Sequence, residues 1–213
     1  GKTTVACAML EHARTLGLTT LGLKPVAAGC EMTPGGWRNS DALMLQSAST
    51  VALSYEEINP LALPAPLSPH LAARAAGRRP TLMQLTGHMR AALMQRPDLA
   101  VIEGAGGWRV LLNDRELLSA LPRELKIPVI LVVGVRLGCI NHALLTAEAV
   151  IKDGLRLAGW VANIMDPDIG DLEGNLSTLR ALLPAPCLGL IPHAPQASPA
   201  ELASSLDLQP LFA

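Results

Sequence analysis

The sequence predicts an α/β fold with three layers, a mainly parallel sheet flanked by helices. Two observations lead to it. Short runs of Val, Ile, Leu and Ala recur along the chain without polar alternation, as strands buried on both faces do. Amphipathic stretches long enough for helices separate them, and strict alternation of the two is the mark of a parallel sheet covered by helices. A third observation concerns the start. Gly1-Lys2-Thr3-Thr4 reads as the second half of a phosphate-binding loop, G-x-x-x-x-G-K followed by Ser or Thr, and a helical stretch follows it as that motif requires. The expected class is therefore a P-loop NTPase-like fold, with residues 1–213 as a single domain, since this length buries one sizeable core.

In chain order, the first helix is expected over Thr4 to Leu16, with Gly17 as its stop. Strands are expected at Thr20 to Ala27, Leu99 to Glu103, Val129 to Val135, Leu157 to Asn163 and Cys187 to Ile191. Further helices are expected over Ser40 to Ala48, Ser68 to Ala76, Thr81 to Gln95, Ile140 to Asp153 and Leu172 to Leu183. Ser40 and Thr81 serve as N-caps, and Gly154 as a C-terminal stop. Asn59 to Pro69 carries four prolines and reads as a surface excursion; Pro192 to Pro199 is similar. The strand before the loop and the loop's first glycine are expected upstream of residue 1. A protein made from residue 1 alone is expected to be poorly soluble or inactive, because a central strand would be missing from the sheet.

Composition narrows the function. A net charge of −1 gives no electrostatic case for nucleic acid or for an anionic membrane. With three Trp, one Tyr and one Phe there is no base-stacking platform. No apolar run is long enough to span a bilayer, and no signal peptide is visible. Cys7, Cys30, Cys139 and Cys187 lie far apart without a C-x-x-C pair, which suits reduced thiols in a cytoplasmic protein better than zinc or disulfides.

Ligands of open α/β sheets bind beyond the carboxyl ends of strands, so residues there carry the functional argument. Lys2 would reach the outer phosphates of a nucleotide, and Thr3 would hold Mg²⁺ through its hydroxyl. Lys24 lies in the apolar run Gly22 to Ala27. It is either a second cation facing phosphate or a strand-end lysine that snorkels to solvent. Asp41 opens a helix, where an acid also simply favours the helix dipole. Glu103 ends an apolar strand and precedes Gly104-Ala105-Gly106-Gly107. It is a candidate Mg²⁺ ligand beside a wall that lets phosphate approach, or a solvated strand-end acid. Gly138-Cys139-Ile140-Asn141 opens a helix after the strongest strand and offers an anion site or an ordinary turn. Asn163, at a strand end, reads a base edge or caps a turn. His142 and His193 have no flanking ligands and read as packing or surface residues.

Seven stretches together resemble dethiobiotin synthetases: GKTT, GLKPVAAGC, RNSDAL, VIEGAGGW, PVILVVGVRLGCINHALLTAEAV, LAGWVAN and PAPCLGLIP. They follow the family's order across nearly the whole chain, and their combination is far more specific than the GKT core. The resemblance implies an ATP- and Mg²⁺-dependent cyclo-ligase. Its substrates are 7,8-diaminononanoate, CO₂ or bicarbonate, and ATP. A carbamate is phosphorylated to a carbamic–phosphoric anhydride, and the second amine then closes the ureido ring of dethiobiotin in biotin biosynthesis. It further implies roles by position. Lys2 and Lys24 act on the reacting anions, and Thr3, Asp41 and Glu103 hold Mg²⁺. Gly1, Thr4, Gly104, Ala105 and Gly106 lie along the phosphates. Asn163, Ile164, Pro192, His193 and Ala194 hold adenine. Lys24, Ala28 and Gly138 to Asn141 meet the substrate, the last group across a homodimer interface. Ala28 stands where the family often has Ser, so a contact there would run through the backbone. Two other expectations remain beside this one: a P-loop ATPase switch of the partition or division type, and a truncated, inactive synthase.

Overall fold

The computed structural model describes residues 1–212 as a mixed α/β protein with mostly parallel strand pairs. They group into two compact units, one of Ala13–Leu125 and one of Gly1–His12 with the chain from Lys126 onward.

Helix α1 (Lys2–Thr15) begins at the phosphate-loop motif and buries Val5 to Leu10 and Ala13. It ends at Gly17, whose φ of +77° is open to glycine without strain. The strand expected over Thr20 to Ala27 is in fact two. β1 (Thr20–Leu23) and β2 (Val26–Ala28) are separated by Lys24-Pro25. Proline has no N–H to extend the ladder, and the Lys24 N–H turns aside to the Ile58 carbonyl at 2.9 Å. The two strands therefore take different partners.

A hairpin, β3 (Glu31–Thr33) with β4 (Gly36–Arg38), was not foreseen, because strands of three residues carry no readable periodicity. Helix α2 (Ser40–Ala48) starts where expected, but its N-cap is Asn39 rather than Ser40; the Asn39 Oδ1 accepts from the Ala42 N–H at 3.3 Å. The segment expected to be a surface excursion follows directly on α3 (Tyr55–Ile58) and contains β5 (Leu61–Leu63). Leu61 and Leu63 are buried and Asn59 is 2% exposed. The prolines bracket an inner strand that pairs on one side with β2, Val26 opposite Leu61, which is a pairing proline tolerates.

Helix α4 (Pro69–Ala75) and helix α5 (Leu82–Leu93) follow, the latter opened by a capping box of Thr81 and Gln84. β6 (Leu99–Ile102) pairs in parallel with β1, Leu23 opposite Ile102, and α6 (Ala120–Leu125) closes this unit. Leu21, Leu23, Val26, Ile58, Leu63, Met89 and Leu112 lie at its apolar centre.

In the other unit β7 (Val129–Val135) leads through Gly138, at φ +89°, into α7 (Cys139–Lys152). Then come β8 (Leu157–Ile164), α8 (Leu172–Leu182), β9 (Cys187–Ile191), α9 (Pro199–Ala203) and α10 (Gln209–Phe212). β8 runs between β7 and β9, parallel to both, and all eight of its residues are buried. α7 buries Cys139, Ala143, Ala147 and Val150, one face at helical spacing. Among the described residues, no helix is long and apolar enough to cross a membrane.

Candidate functional site

The register of β1 with β6 sets the next residue of each strand side by side. The Glu103 N–H donates to the Leu23 carbonyl at 2.8 Å, so Lys24 and Glu103 leave neighbouring strand ends together. The Lys24 ammonium donates to Glu103 Oε1 at 2.6 Å and to Asp41 Oδ2 at 3.0 Å. Asp41 arrives from the first turn of α2, whose dipole favours a negative charge there.

This geometry decides between the readings left open above. Lys24 does not snorkel: it is 4% exposed and its charge is met by two carboxylates. Glu103 is not a solvated strand-end acid, since its side chain is 3% exposed; that of Asp41 is 40% exposed. A buried ammonium is tolerated when it is paired and hydrogen-bonded in this way.

Two carboxylates meet one ammonium here, and their oxygen donors are those a hard cation takes. Among the described residues no three or more His, Cys, Asp or Glu side chains converge as a metal cage. Mg²⁺ does not require one, because it is commonly held by one or two carboxylates together with substrate phosphates. The donor set of Asp41 and Glu103 fits it.

The glycine-rich turn after Glu103 leaves room for a ligand. A Cβ on Gly104 or Gly107 would meet nothing within 4 Å. Gly106 is different: its φ is +67°, and a Cβ there would lie 2.9 Å from the Val110 side chain.

A polar layer behind Lys24 was not read from the sequence. The Asn59 side-chain amide donates to the Lys24 carbonyl at 2.6 Å, and the Tyr55 hydroxyl donates to Asn59 Oδ1 at 3.0 Å. The Asn39 N–H in turn donates to the Tyr55 hydroxyl oxygen at 2.7 Å. Arg38 covers the Tyr55 ring, with its guanidinium carbon 4.1 Å from the centroid, and pairs with Glu56 at 2.9 Å. The signal available was thin: one tyrosine in the chain, with an asparagine one helical turn later. Ala28 ends β2 nearby in sequence, and its carbonyl accepts from the Asn39 amide at 3.5 Å.

Residues 1–4 belong to the other unit. Gly1 and Lys2 are exposed, Thr3 and Thr4 partly buried, and the Val5 N–H donates to the Gly1 carbonyl at 3.1 Å to close the first turn of α1. Gly1 lies against Asn163. A Cβ on Gly1 would fall 1.8 Å from the Asn163 side-chain nitrogen, so any larger residue there would displace the Asn163 amide. Asn163 is buried near the carboxyl end of β8 and donates to Met165 Sδ at 3.1 Å.

Asn163 is opposite Ile191, the last residue of β9, and Ile164 is opposite Val135. Pro192 and His193 follow β9 on the surface, with Ala194 partly buried. Gly1 and Asn163 are thus in contact, with residues 192–194 running on from the neighbouring strand. Gly138 to Asn141 form the start of α7, with Cys139 buried, Ile140 partly buried, and Gly138 and Asn141 exposed. His142 is exposed too. The four cysteines are free thiols, and burial pushes the Cys30 thiol up from its ordinary range.

A AAA-domain family model matches residues 1–201. The protein named ATP-dependent dethiobiotin synthetase BioD from Pseudomonas paraeruginosa is 56% identical over 211 residues, which covers 99% of this chain and 92% of the relative. That of Cellvibrio japonicus is 54% identical, covering 100% and 92%, and that of Xanthomonas oryzae pv. oryzae 49%, covering 98% and 92%.

Proposed function

The chain belongs to the dethiobiotin synthetase family, and from that premise we propose how its residues carry the reaction. Its activity is ATP-dependent dethiobiotin synthesis, a ligase step of biotin biosynthesis. The family decides for a ligase over a partition-type switch. It also supports a three-layer P-loop arrangement and a cytoplasmic location.

The observation that carries the reading is Lys24, a buried ammonium held between Asp41 and Glu103 at the ends of β1 and β6. One amine of 7,8-diaminononanoate adds to CO₂ and loses a proton, giving a carbamate. The carbamate oxygen takes the γ-phosphoryl group of ATP and ADP departs. The second amine attacks the carbamoyl carbon, the C–O bond to phosphate breaks, and the ureido ring closes. The difficulty is electrostatic, because carbamate and triphosphate are both anions. Lys24 and Lys2 supply the positive charge, and Lys24 is already fixed before substrates arrive. A preorganised charge in a dry site acts more strongly than one that must reorganise.

Thr3, Asp41 and Glu103 are the residues that would hold Mg²⁺, which when bound neutralises phosphate charge and orients the transferring group. Gly104, Ala105 and Gly106 form the wall beside the phosphates, with open space at Gly104, and Gly1 and Thr4 complete the main-chain cradle. Asn163, Ile164 and Pro192 to Ala194 flank the adenine. Ala28 contacts the diamine through its main chain. Gly138 to Asn141 receive the substrate carboxylate from a second copy of the chain, at a helix start suited to anions.

The test is ATP turnover with single omissions. ADP release is expected only when the diamine and bicarbonate are both present. Turnover indifferent to the diamine would remove the proposal.

A further inference from the structure

Lys24 and Asp41 are joined twice. The direct link is the ion pair, at 3.0 Å. The second runs behind it through buried polar groups. The Lys24 carbonyl accepts from Asn59, Asn59 accepts from the Tyr55 hydroxyl, and that hydroxyl oxygen accepts from the Asn39 N–H. Asn39 then caps α2, the helix whose first turn bears Asp41. The loop of bonds is closed: main chain of Lys24, Asn59, Tyr55, Asn39, start of α2, Asp41, and back to the ammonium. Asn59, Asn39 and Tyr55 are each less than a tenth exposed. A generic core would not place three polar side chains here, since each needs its partners to offset desolvation.

The donors and acceptors have a single consistent assignment. The Asn59 amide nitrogen faces two carbonyls, of Lys24 and Leu61, so its oxygen must face Tyr55, which therefore donates. The Asn39 N–H can only donate, which uses the other side of the Tyr55 oxygen. Burial pushes the Tyr55 phenol up from its ordinary range, so it keeps the proton that this arrangement needs.

We propose that Tyr55 and Asn59 are positioning residues for the synthetase reaction, fixing the Lys24 main chain relative to the start of α2 so that the ammonium and the Asp41 carboxylate hold their spacing. The proposal rests on the reading of Lys24 and Asp41 given above. Neither residue touches substrate; each acts through the two charges. Groups that orient a charged first layer typically change activity about 10–100-fold when they are lost.

Tyr55→Phe keeps the ring and the Arg38 contact and removes the hydroxyl alone. The expected result is a kcat lower by about 10–100-fold with KM for ATP little changed. A second readout does not use turnover. Acylation of Lys24 by acetic anhydride, followed by mass spectrometry and referred to the exposed Lys152, is expected to rise at least about fivefold in the variant as the ammonium loses its fixed partners. Ser54→Ala is the control for stability alone. It breaks the capping box of the helix that carries Tyr55 and leaves the hydroxyl in place. Its melting temperature falls while kcat and Lys24 labelling stay within about twofold of the parent.

Should Tyr55→Phe not fold, Asn59→Ser cuts the same chain at its other end and is read identically. Failure of both to fold, an unchanged kcat, or a Ser54→Ala variant that matches Tyr55→Phe overturns the proposal. If the parent itself shows no diamine-dependent turnover, the functional reading falls separately and the labelling ratio alone decides the positioning claim.

Discussion

Glu103 Oε1 lies 2.6 Å from the Lys24 ammonium, and both side chains are almost wholly buried. Removing one partner of a buried pair strands the other charge and commonly costs about 3–5 kcal/mol. Lys24→Met is therefore expected to lower the unfolding free energy by about 3 kcal/mol in urea titrations, and adding Glu103→Gln to recover most of that loss. Turnover does not recover in the double variant. Losing a preorganised charge costs about 10²–10³ in kcat, and the second change removes a proposed metal ligand as well.

Asp41 pairs with the same ammonium but is far more exposed. The Lys24 ammonium keeps its buried Glu103 partner when Asp41 is neutralised, so Asp41→Asn is expected to lower the melting temperature less than Glu103→Gln does. Its effect lies in metal dependence. The Mg²⁺ concentration for half-maximal turnover rises by about tenfold or more, as loss of a carboxylate ligand requires. A large fall in stability with unaltered metal dependence would reverse the roles assigned to the two acids.

The glycine-rich turn separates room for ligand from backbone need. Gly104→Ala meets nothing within 4 Å, so folding is expected to tolerate it while KM for ATP rises. Gly106→Ala forces a left-handed φ and a contact with Val110. It is expected to lose about 1–3 kcal/mol of stability whether or not nucleotide is present. Thermal melts with and without ATP distinguish the two.

Asp98 ties the entry of β1 to that of β6. Its carboxylate accepts from the Thr19 hydroxyl at 2.6 Å and from the Thr19 N–H at 2.8 Å. The hydroxyl bond first, and the N–H bond after it, hold the Asp98 carboxyl below its ordinary range. A folded-state value depressed in this way contributes stability that is fully present above the unfolded value, about 3.9, and is lost as the pH falls through the folded value. Asp98→Asn is thus expected to destabilise at neutral pH and to converge with the parent in acid. A constant difference between them at all pH values would contradict this linkage.

Lys24 marks where sequence reading succeeded and where it stopped. Its place in an apolar run flagged a charge that needed an anion, and Glu103 and Asp41 were each legible from a strand end and a helix start. That they meet one ammonium was not legible, because it depends on β1 stopping at Lys24-Pro25 and pairing with β6. The run to Ala27 looked continuous, since apolar composition does not report which partner a strand takes. Asn59 and Tyr55 were missed for a related reason. Prolines around residues 60–69 suggested surface, whereas they delimit a short buried strand whose side-chain hydrogen bonds arise only on folding. In the other unit the long parallel strands and α7 were found within a residue or so, as strong hydrophobic patterns allow.

The central claim is that this chain joins carboxylation of a diamine to ATP cleavage. The most direct measurement supplies isotopically labelled bicarbonate, ATP, Mg²⁺ and 7,8-diaminononanoate, and follows the label and ADP together. The account predicts label in the ureido carbonyl of dethiobiotin, with one ADP released for each ring closed, and both products lowered together by about 10²–10³-fold in the Lys24→Met variant. Release of ADP without labelled ring, at the same rate when the diamine is left out, would contradict it.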